Sequence, residues 1–238
     1  MMVVTYKRIP STNVKAKALA SHGAPDWTVV VSEVQTRGRG RKGRRWESHK
    51  GGLWFSVILR PKLPAGKVSL LQFLASNATR RAVVEETGVR AWMKWPNDLV
   101  LESGKLAGTL VESKSVGDKV SFVVVGIGLN VNQTKRQLPT AATSIYVSSG
   151  REHRLDDLLK SIVDNMRSQY QSLSDSGKIL DEWWRNCIHR SRLVQVETPR
   201  GVVKGVNIGI NPEGSLLIET SKLVVETVVE GRLRILSD

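Results

Sequence analysis

Between Gln35 and Trp46 the chain reads Gln-Thr-Arg-Gly-Arg-Gly-Arg-Lys-Gly-Arg-Arg-Trp, with six cationic side chains in the nine residues from Arg37 to Arg45 and glycines at 38, 40 and 43. Glycine removes the Cβ that would hold the backbone away from phosphate oxygens, and arginine presents a forked donor that suits phosphate or carboxylate. The segment is built to close over a polyanion. Its flanks, Trp27–Val31 and Leu53–Leu59, are rich in aromatic and β-branched residues and read as strands, so the basic segment is a loop between two strands. Taken alone it is compatible with a small phosphate ligand, with nucleic acid, or with a solvated charged surface.

Charge does not choose among these. The 238 residues carry a formal net charge of +14, and removing the six loop cations still leaves +8, so basicity is spread along the chain. Net charge bears on steering and nonspecific attraction rather than on fold. At 40% hydrophobic the chain can bury a substantial core, either as one large domain or as one with a small companion. A single Cys187 excludes an internal disulfide, and His22, His49, His153 and His189 are scattered without zinc-ligand spacing. The first ten residues lack the apolar core of a signal peptide and the longest apolar run, Phe122–Val131, is too short to span a bilayer, which predicts a cytoplasmic protein with no membrane partner.

Ser11-Thr12-Asn13 supplies capping residues for a short alanine-rich helix that stops at Gly23. Ser69 and Gln72 have capping-box spacing, and Leu70, Leu71, Leu74, Ala75, Ala78, Ala82 and Val83 keep a helical period as far as Gly88. A strand at Val89–Lys94, a turn at Trp95–Asp98 and two long strands, Leu106–Glu112 and Val120–Ile127, follow, the last two joined through Gly117-Asp118. Helices are predicted over Leu155–Leu173 and Gly177–Cys187, where Trp183 and Trp184 read as core or domain-interface packing. Beyond Ile188 short β-rich runs at Leu193–Glu197, Val202–Ile208, Ser215–Glu219, Leu223–Val229 and Leu233–Leu236 alternate with Pro-Arg-Gly and Asn-Pro-Glu-Gly turns, the texture of a small β-barrel. The fold class expected is α+β, a largely antiparallel mixed sheet packed with helices.

Three further segments carry chemistry. Lys94-Trp95-Pro96-Asn97-Asp98 sets a lysine, an amide and a carboxylate on a proline-stiffened turn, where they could converge on a ligand or its metal; an Asx-type turn is the plainer reading. In Gly104-Lys105-Leu106-Ala107-Gly108 a lysine stands among small residues at a strand's start, facing either a cleft or solvent. Gly126-Ile127-Gly128-Leu129-Asn130 ends the partner strand with glycines that permit close backbone approach. It lacks the third glycine and the strand–turn–helix context of a dinucleotide fingerprint, and no Walker A sequence is present.

In this order, Ser11-Thr12-Asn13, Gln35 to Trp46, Lys94 to Asp98, Lys105 to Glu112 and Gly126 to Asn130 resemble the motifs of the biotin protein ligase family, and the resemblance extends over the whole chain. It implies a catalytic domain over residues 1–188 with a class II synthetase-like fold and an SH3-like β-barrel over residues 189–238. It also implies a two-step ligase that uses ATP, biotin and Mg²⁺, forms biotinyl-5′-AMP, and passes the biotinyl group to a lysine of a biotin carboxyl carrier domain.

Position by position, the resemblance assigns Ser11, Thr12, Asn13, Gln35, Gly38, Arg39, Lys105, Gly108, Gly126 and Gly128 to biotin. It assigns Arg41, Arg44, Trp46, Asn97, Asp98 and Asn130 to ATP, with Trp46 covering the adenine, Asn130 hydrogen-bonding it and Asp98 helping to place Mg²⁺. Lys105, Arg39 and Arg41 are the catalytic group. A carboxylate and a triphosphate repel one another by about 4 kcal/mol per unit-charge pair at 4 Å and an effective dielectric near 20, so cations are needed where they meet. The loop is expected to close over the mixed anhydride and exclude water.

The chain begins almost directly at Ser11-Thr12-Asn13, without the DNA-binding domain of the family's repressor members, so no operator binding is expected; a homodimer is. Arg37, where relatives often have a small residue, has no assigned task. A lipoate–protein ligase of the same fold is the nearest alternative. A nucleic-acid-binding module is the alternative from another class.

Overall fold

The computed structural model describes residues 2–173, 175–221 and 224–236. The chain runs β1 (Val3–Ile9), α1 (Thr12–Ser21), β2 (Thr28–Gln35), β3 (Leu53–Leu59), α2 (Leu70–Thr87), β4 (Trp92–Lys94), β5 (Asp98–Leu101), β6 (Gly104–Val116) and β7 (Lys119–Leu129). It continues with α3 (Ile145–Ser149), α4 (Leu155–Tyr170), α5 (Ser176–Arg185), β8 (Leu193–Thr198), β9 (Gly201–Ile210), β10 (Leu216–Thr220), β11 (Val225–Val228) and β12 (Arg232–Ile235). The first seven strands form one sheet in the order β1-β2-β3-β7-β6-β5-β4, and the last five a second sheet in the order β11-β10-β9-β8-β12. β1 and β2 pair in parallel; the remaining strand pairs are antiparallel. The α+β class expected from the sequence is thereby met.

The central strand β3 is buried at every position, and its side chains alternate between two layers. Phe55, Val57 and Leu59, with Val123, Val125, Ile127 and Leu129 of β7, face a core completed by α2, α4 and α5. Ile58, Phe122 and Val124 face the other way, onto Ala16 and Ala20 of α1. Trp183 is fully buried and meets Phe73 edge-to-face with ring centroids 5.3 Å apart, the packing role its position predicts.

Several local expectations are corrected. Ser69 precedes α2 in helical backbone and its side chain makes no capping bond, while Gln72 donates instead to the carbonyl of Pro96 at 2.7 Å. The capping box gives way because the Trp95–Asp98 turn recruits its glutamine. Ser11 does stand at the N-cap of α1, but no side chain caps it; Thr12 and Asn13 are spent on the site described below. β1 and the short helix α3 were not foreseen. The strand placed at Val89–Lys94 is only Trp92–Lys94, and Asp98–Leu101 is a separate strand rather than the end of a turn. The helices expected to end at Leu173 and Cys187 end at Tyr170 and Arg185. Of the C-terminal runs, the one expected to start at Leu223 is β11 from Val225, Leu223 itself lying outside the described residues.

Candidate active site

Cross-strand register builds the floor of the site. Trp54 of β3 pairs with Gly128 of β7, Gly128 with Gly108 of β6, and Gly108 with Asp98 of β5, so these four positions form one row across a single face of the sheet. Two glycines in the middle of the row leave a slot bounded by an indole and a carboxylate. In the next row Ser56 pairs with Gly126, and a Cβ on Gly126 would strike Asn13 Oδ1. α1 starts at this level of the sheet, which places Ser11, Thr12 and Asn13 beside the slot.

A polar chain joins these groups. Gln35 Oε1 accepts from the Thr12 amide at 2.8 Å, and Gln35 Nε2 donates to Ser48 Oγ at 2.8 Å. Buried Ser56 Oγ lies 2.8 Å from Thr12 Oγ1 and 2.6 Å from Asn13 Oδ1. Asn13 Nδ2 donates to Glu112 Oε2 at 2.9 Å, and Lys17 and Arg39 reach Glu112 Oε1 at 2.7 and 3.3 Å. Burial raises the Glu112 carboxyl pKa, but the Lys17 and Asn13 hydrogen bonds and the charges of Lys17 and Arg39 outweigh it and hold the group below the ordinary carboxylate range. Asn13 is thus a brace whose amide is committed to Glu112 and Ser56.

On the opposite side Lys105 Nζ lies 2.6 Å from Asp98 Oδ1 and 5.0 Å from the centroid of the Trp46 ring. Asn97 Nδ2 donates to the Thr109 carbonyl at 2.7 Å and fixes the turn against β6. Arg41 enters the cavity from the basic loop. Its Nη1 is buried without a hydrogen-bond partner among the described residues, and burial lowers the Arg41 pKa against the opposing pull of Asp98. A buried guanidinium nitrogen with no acceptor is an anion site in waiting.

The cavity so formed is about 420 Å³, within the usual range for small-molecule sites. Its wall contains Ser11, Thr12, Asn13, Gln35, Arg39, Arg41, Arg44, Trp46, Asn97, Asp98, Lys105, Gly108, Gly126, Gly128 and Asn130, which are the sequence-predicted residues with one exception. Gly38 stands outside it. A Cβ there would strike the Trp46 carbonyl, so this glycine lets the loop fold on itself.

Two other residues sit differently from expectation. Trp46, assigned to the adenine, lies on the Gly108–Gly128 slot assigned to biotin: a Cβ at Gly128 would lie 2.5 Å from its Nε1, which is buried without a partner. The indole covers the slot and packs against Trp54 at a centroid distance of 6.3 Å. Asn130 Nδ2 donates to the Thr143 carbonyl at 2.9 Å rather than pointing freely into the cavity. Arg37 is exposed.

Sequence reasoning missed Glu112, Ser56 and Thr109 as parts of the site, and also Gly231, Arg232 and Leu233 of the C-terminal sheet, which line the cavity. Lys42 at the loop tip pairs with Glu230 of that region at 2.8 Å. Only Glu112 carried a signal, as the last residue of the Lys105 strand motif.

A cavity that sets clustered cations beside a glycine slot and a braced polar pocket suits a small ligand that carries negative charge. The model of the biotin/lipoate A/B protein ligase family matches residues 5–130, and the chain belongs to that family. It is 34% identical over 229 residues to the bifunctional ligase/repressor BirA of Bacillus subtilis, covering 92% of this chain and 70% of that protein. It is 30% identical over 221 residues to the biotin–[acetyl-CoA-carboxylase] ligase of Paracoccus denitrificans, covering 89% and 91%. Among solved structures, the biotin protein ligase from Aquifex aeolicus in complex with biotin and ATP superposes with a TM-score of 0.83 at 26% identity, covering 98% of this chain and 99% of that one.

Proposed function

We propose that this chain activates biotin with ATP and transfers the biotinyl group to a lysine of a biotin carboxyl carrier domain. The observation that carries the reading is the convergence of Lys105, Asp98, Arg39 and Arg41, whose buried Nη1 has no partner among the described residues, on one glycine-floored cavity. In the first step a biotin carboxylate oxygen attacks the α-phosphorus, the bond from that phosphorus to the bridging oxygen breaks, and pyrophosphate leaves with the electron pair. In the second the neutral lysine amine attacks the acyl carbon, AMP leaves with the bridging oxygen, and the amine's proton passes to solvent.

No nucleophilic side chain is required, so the residues act by position and charge. Ser11, Thr12 and Gln35 hold the polar ring of biotin, and Gly126 and Gly128 admit it to the floor once Trp46 moves off the slot. Arg39 meets the biotin carboxylate, Arg41 and Arg44 take the phosphates, and Lys105 stabilises the charge that develops between them. Asn97 and Asn130 border the nucleotide. Mg²⁺ fits here as a substrate-borne ion: Asp98 would supply one carboxylate and the triphosphate the remaining charge, which is how Mg²⁺ is commonly held. Among the described residues no cluster of three or more His, Cys, Asp or Glu makes a dedicated cage. The ion's contribution would be to neutralise the departing pyrophosphate.

The same proposal divides the chain into a catalytic unit over residues 1–188 and a β unit over 189–238 that closes the nucleotide side through Glu230 and Arg232. It includes a cytoplasmic enzyme, and a homodimer for which β1 offers an outer edge that has no strand partner among the described residues. No described helix is long and apolar enough to cross a membrane.

The test is pyrophosphate release with ATP, Mg²⁺ and either biotin or lipoate. Release with biotin and formation of biotinyl-5′-AMP are expected; release with lipoate alone, or with neither, would remove the assignment.

A further inference from the structure

The residues that connect the two sheets contain a buried histidine that no step above uses. His189 is fully buried, and its Nε2 accepts the backbone N–H of Trp95 at 3.0 Å. An amide N–H only donates, so Nε2 is unprotonated, and a neutral imidazole then carries its proton on Nδ1. The side-chain amide of Asn207, on β9 and itself fully buried, lies 2.7 Å from Nδ1. Asn207 Nδ2 also donates to the His189 backbone carbonyl at 3.2 Å, and Cys187 Sγ lies 3.2 Å from Nδ1, so the Nδ1 proton goes to the Cys187 sulfur or, with the amide turned over, to Asn207 Oδ1, which has no other partner among the described residues.

Trp95 opens the turn that delivers Asp98 to Lys105. The second sheet grips the same tryptophan again, since the indole Nε1 donates to the carbonyl of Gly214 at 3.1 Å. Main chain on both sides is fixed as well: Met93 N–H donates to the Asn186 carbonyl at 2.9 Å and Ile188 N–H to the Met93 carbonyl at 2.9 Å. The backbone amide of Trp95 therefore rests on one side chain, which Asn207 of the second sheet and Cys187 of the connector both contact.

We propose that His189 is a positioning residue: contacted by Asn207 and Cys187, it holds the Trp95 amide and thereby sets where Asp98 stands relative to Lys105. The proposal rests on the adenylation reading above. Burial pushes the His189 pKa down to about 3, with the Lys94 charge adding to the effect, which keeps the acceptor lone pair available at working pH.

Gln and Asn separate the two contacts of the ring. In His189→Gln the side-chain oxygen falls where Nε2 stands and can still accept from Trp95. In His189→Asn it falls near Nδ1 and cannot. Biotin-dependent pyrophosphate release is measured for the parent and both variants, with kcat and the biotin KM determined separately and folding checked by near-ultraviolet circular dichroism. The expected result is that kcat falls by about 100-fold in His189→Asn, the size of effect produced by an ångström-scale misplacement. Its biotin KM stays unchanged, and His189→Gln recovers most of kcat. Equal loss in both variants, or full kcat in His189→Asn, would overturn the positioning role. A parent chain that releases no pyrophosphate with biotin would instead remove the functional assignment, and this role with it.

Discussion

Lys105 and Asp98 form an ion pair with Nζ and Oδ1 2.6 Å apart, at the end of a row whose two inner positions are glycines. The pair stands where a carboxylate and an α-phosphate would meet. Lys105→Ala should lower biotin-dependent pyrophosphate formation by about 100- to 1000-fold, the usual cost of removing one preorganised charge donor. Because Lys105 is a half-exposed wall residue and not core, the thermal midpoint should change little. Steady-state pyrophosphate release and a heat-unfolding scan check both parts.

Trp46 occupies the Gly108–Gly128 slot, so the proposed biotin site requires that biotin displace it. Adding biotin should change tryptophan fluorescence, and Trp46→Phe should remove most of that change although six other tryptophans remain. Gly128→Ala, whose methyl would fill part of the slot that the proposal gives to biotin, should weaken biotin binding by tenfold or more, on the order of 1.4 kcal/mol. Fluorescence titration measures both.

Glu112 gathers Asn13, Lys17 and Arg39. Its pKa is lowered in the folded protein, so its contribution to stability is present above the ordinary carboxyl value of 4.5 and is lost as pH falls through the lower, folded value. Glu112→Gln should cost about 0.2–1 kcal/mol at pH 7, a small effect because the ion pairs are partly solvated. It should also raise the biotin KM by freeing Arg39. Urea unfolding of parent and variant at pH 7 and below pH 4 should show the stability difference shrinking with acid.

His189 has the same sign for a different reason. A histidine buried neutral, with its pKa near 3 against 6.5 unfolded, leaves the unfolded chain binding more protons between those values. Stability should therefore fall on acidification from about pH 6.5 toward 3, by at most about 1.4 kcal/mol per pH unit from this group. His189→Gln should flatten that slope in urea titrations at pH 7, 6 and 5.

What the sequence made legible follows from where its signals are local. The period of α2 and the aromatic and β-branched runs of β3 and β7 are written within single segments, and those elements were readable. Gly126 and Gly128, two residues apart in one strand, announce a bare patch on one face. The alignment of Gly128 with Gly108 and Asp98 is a matter of register between strands and is seen only in three dimensions. The same holds for Glu112, whose partners Asn13, Lys17 and Arg39 come from α1 and the basic loop. Ser69 and Gln72 had the right spacing for a capping box, but a distant carbonyl, that of Pro96, competed for the glutamine. The Trp95–His189–Asn207 link joins a turn, a connector and a second sheet, and no local pattern reports it.

On the proposed function a biotin carboxylate oxygen attacks the α-phosphorus in this cavity. This step is tested most directly with biotin labelled by oxygen-18 in its carboxylate, using ATP, Mg²⁺ and hydroxylamine as acceptor, with mass analysis of the products. The account predicts AMP carrying one labelled oxygen, unlabelled pyrophosphate, and no labelled AMP above background in Lys105→Ala. Unlabelled AMP, or label recovered in pyrophosphate, would contradict it.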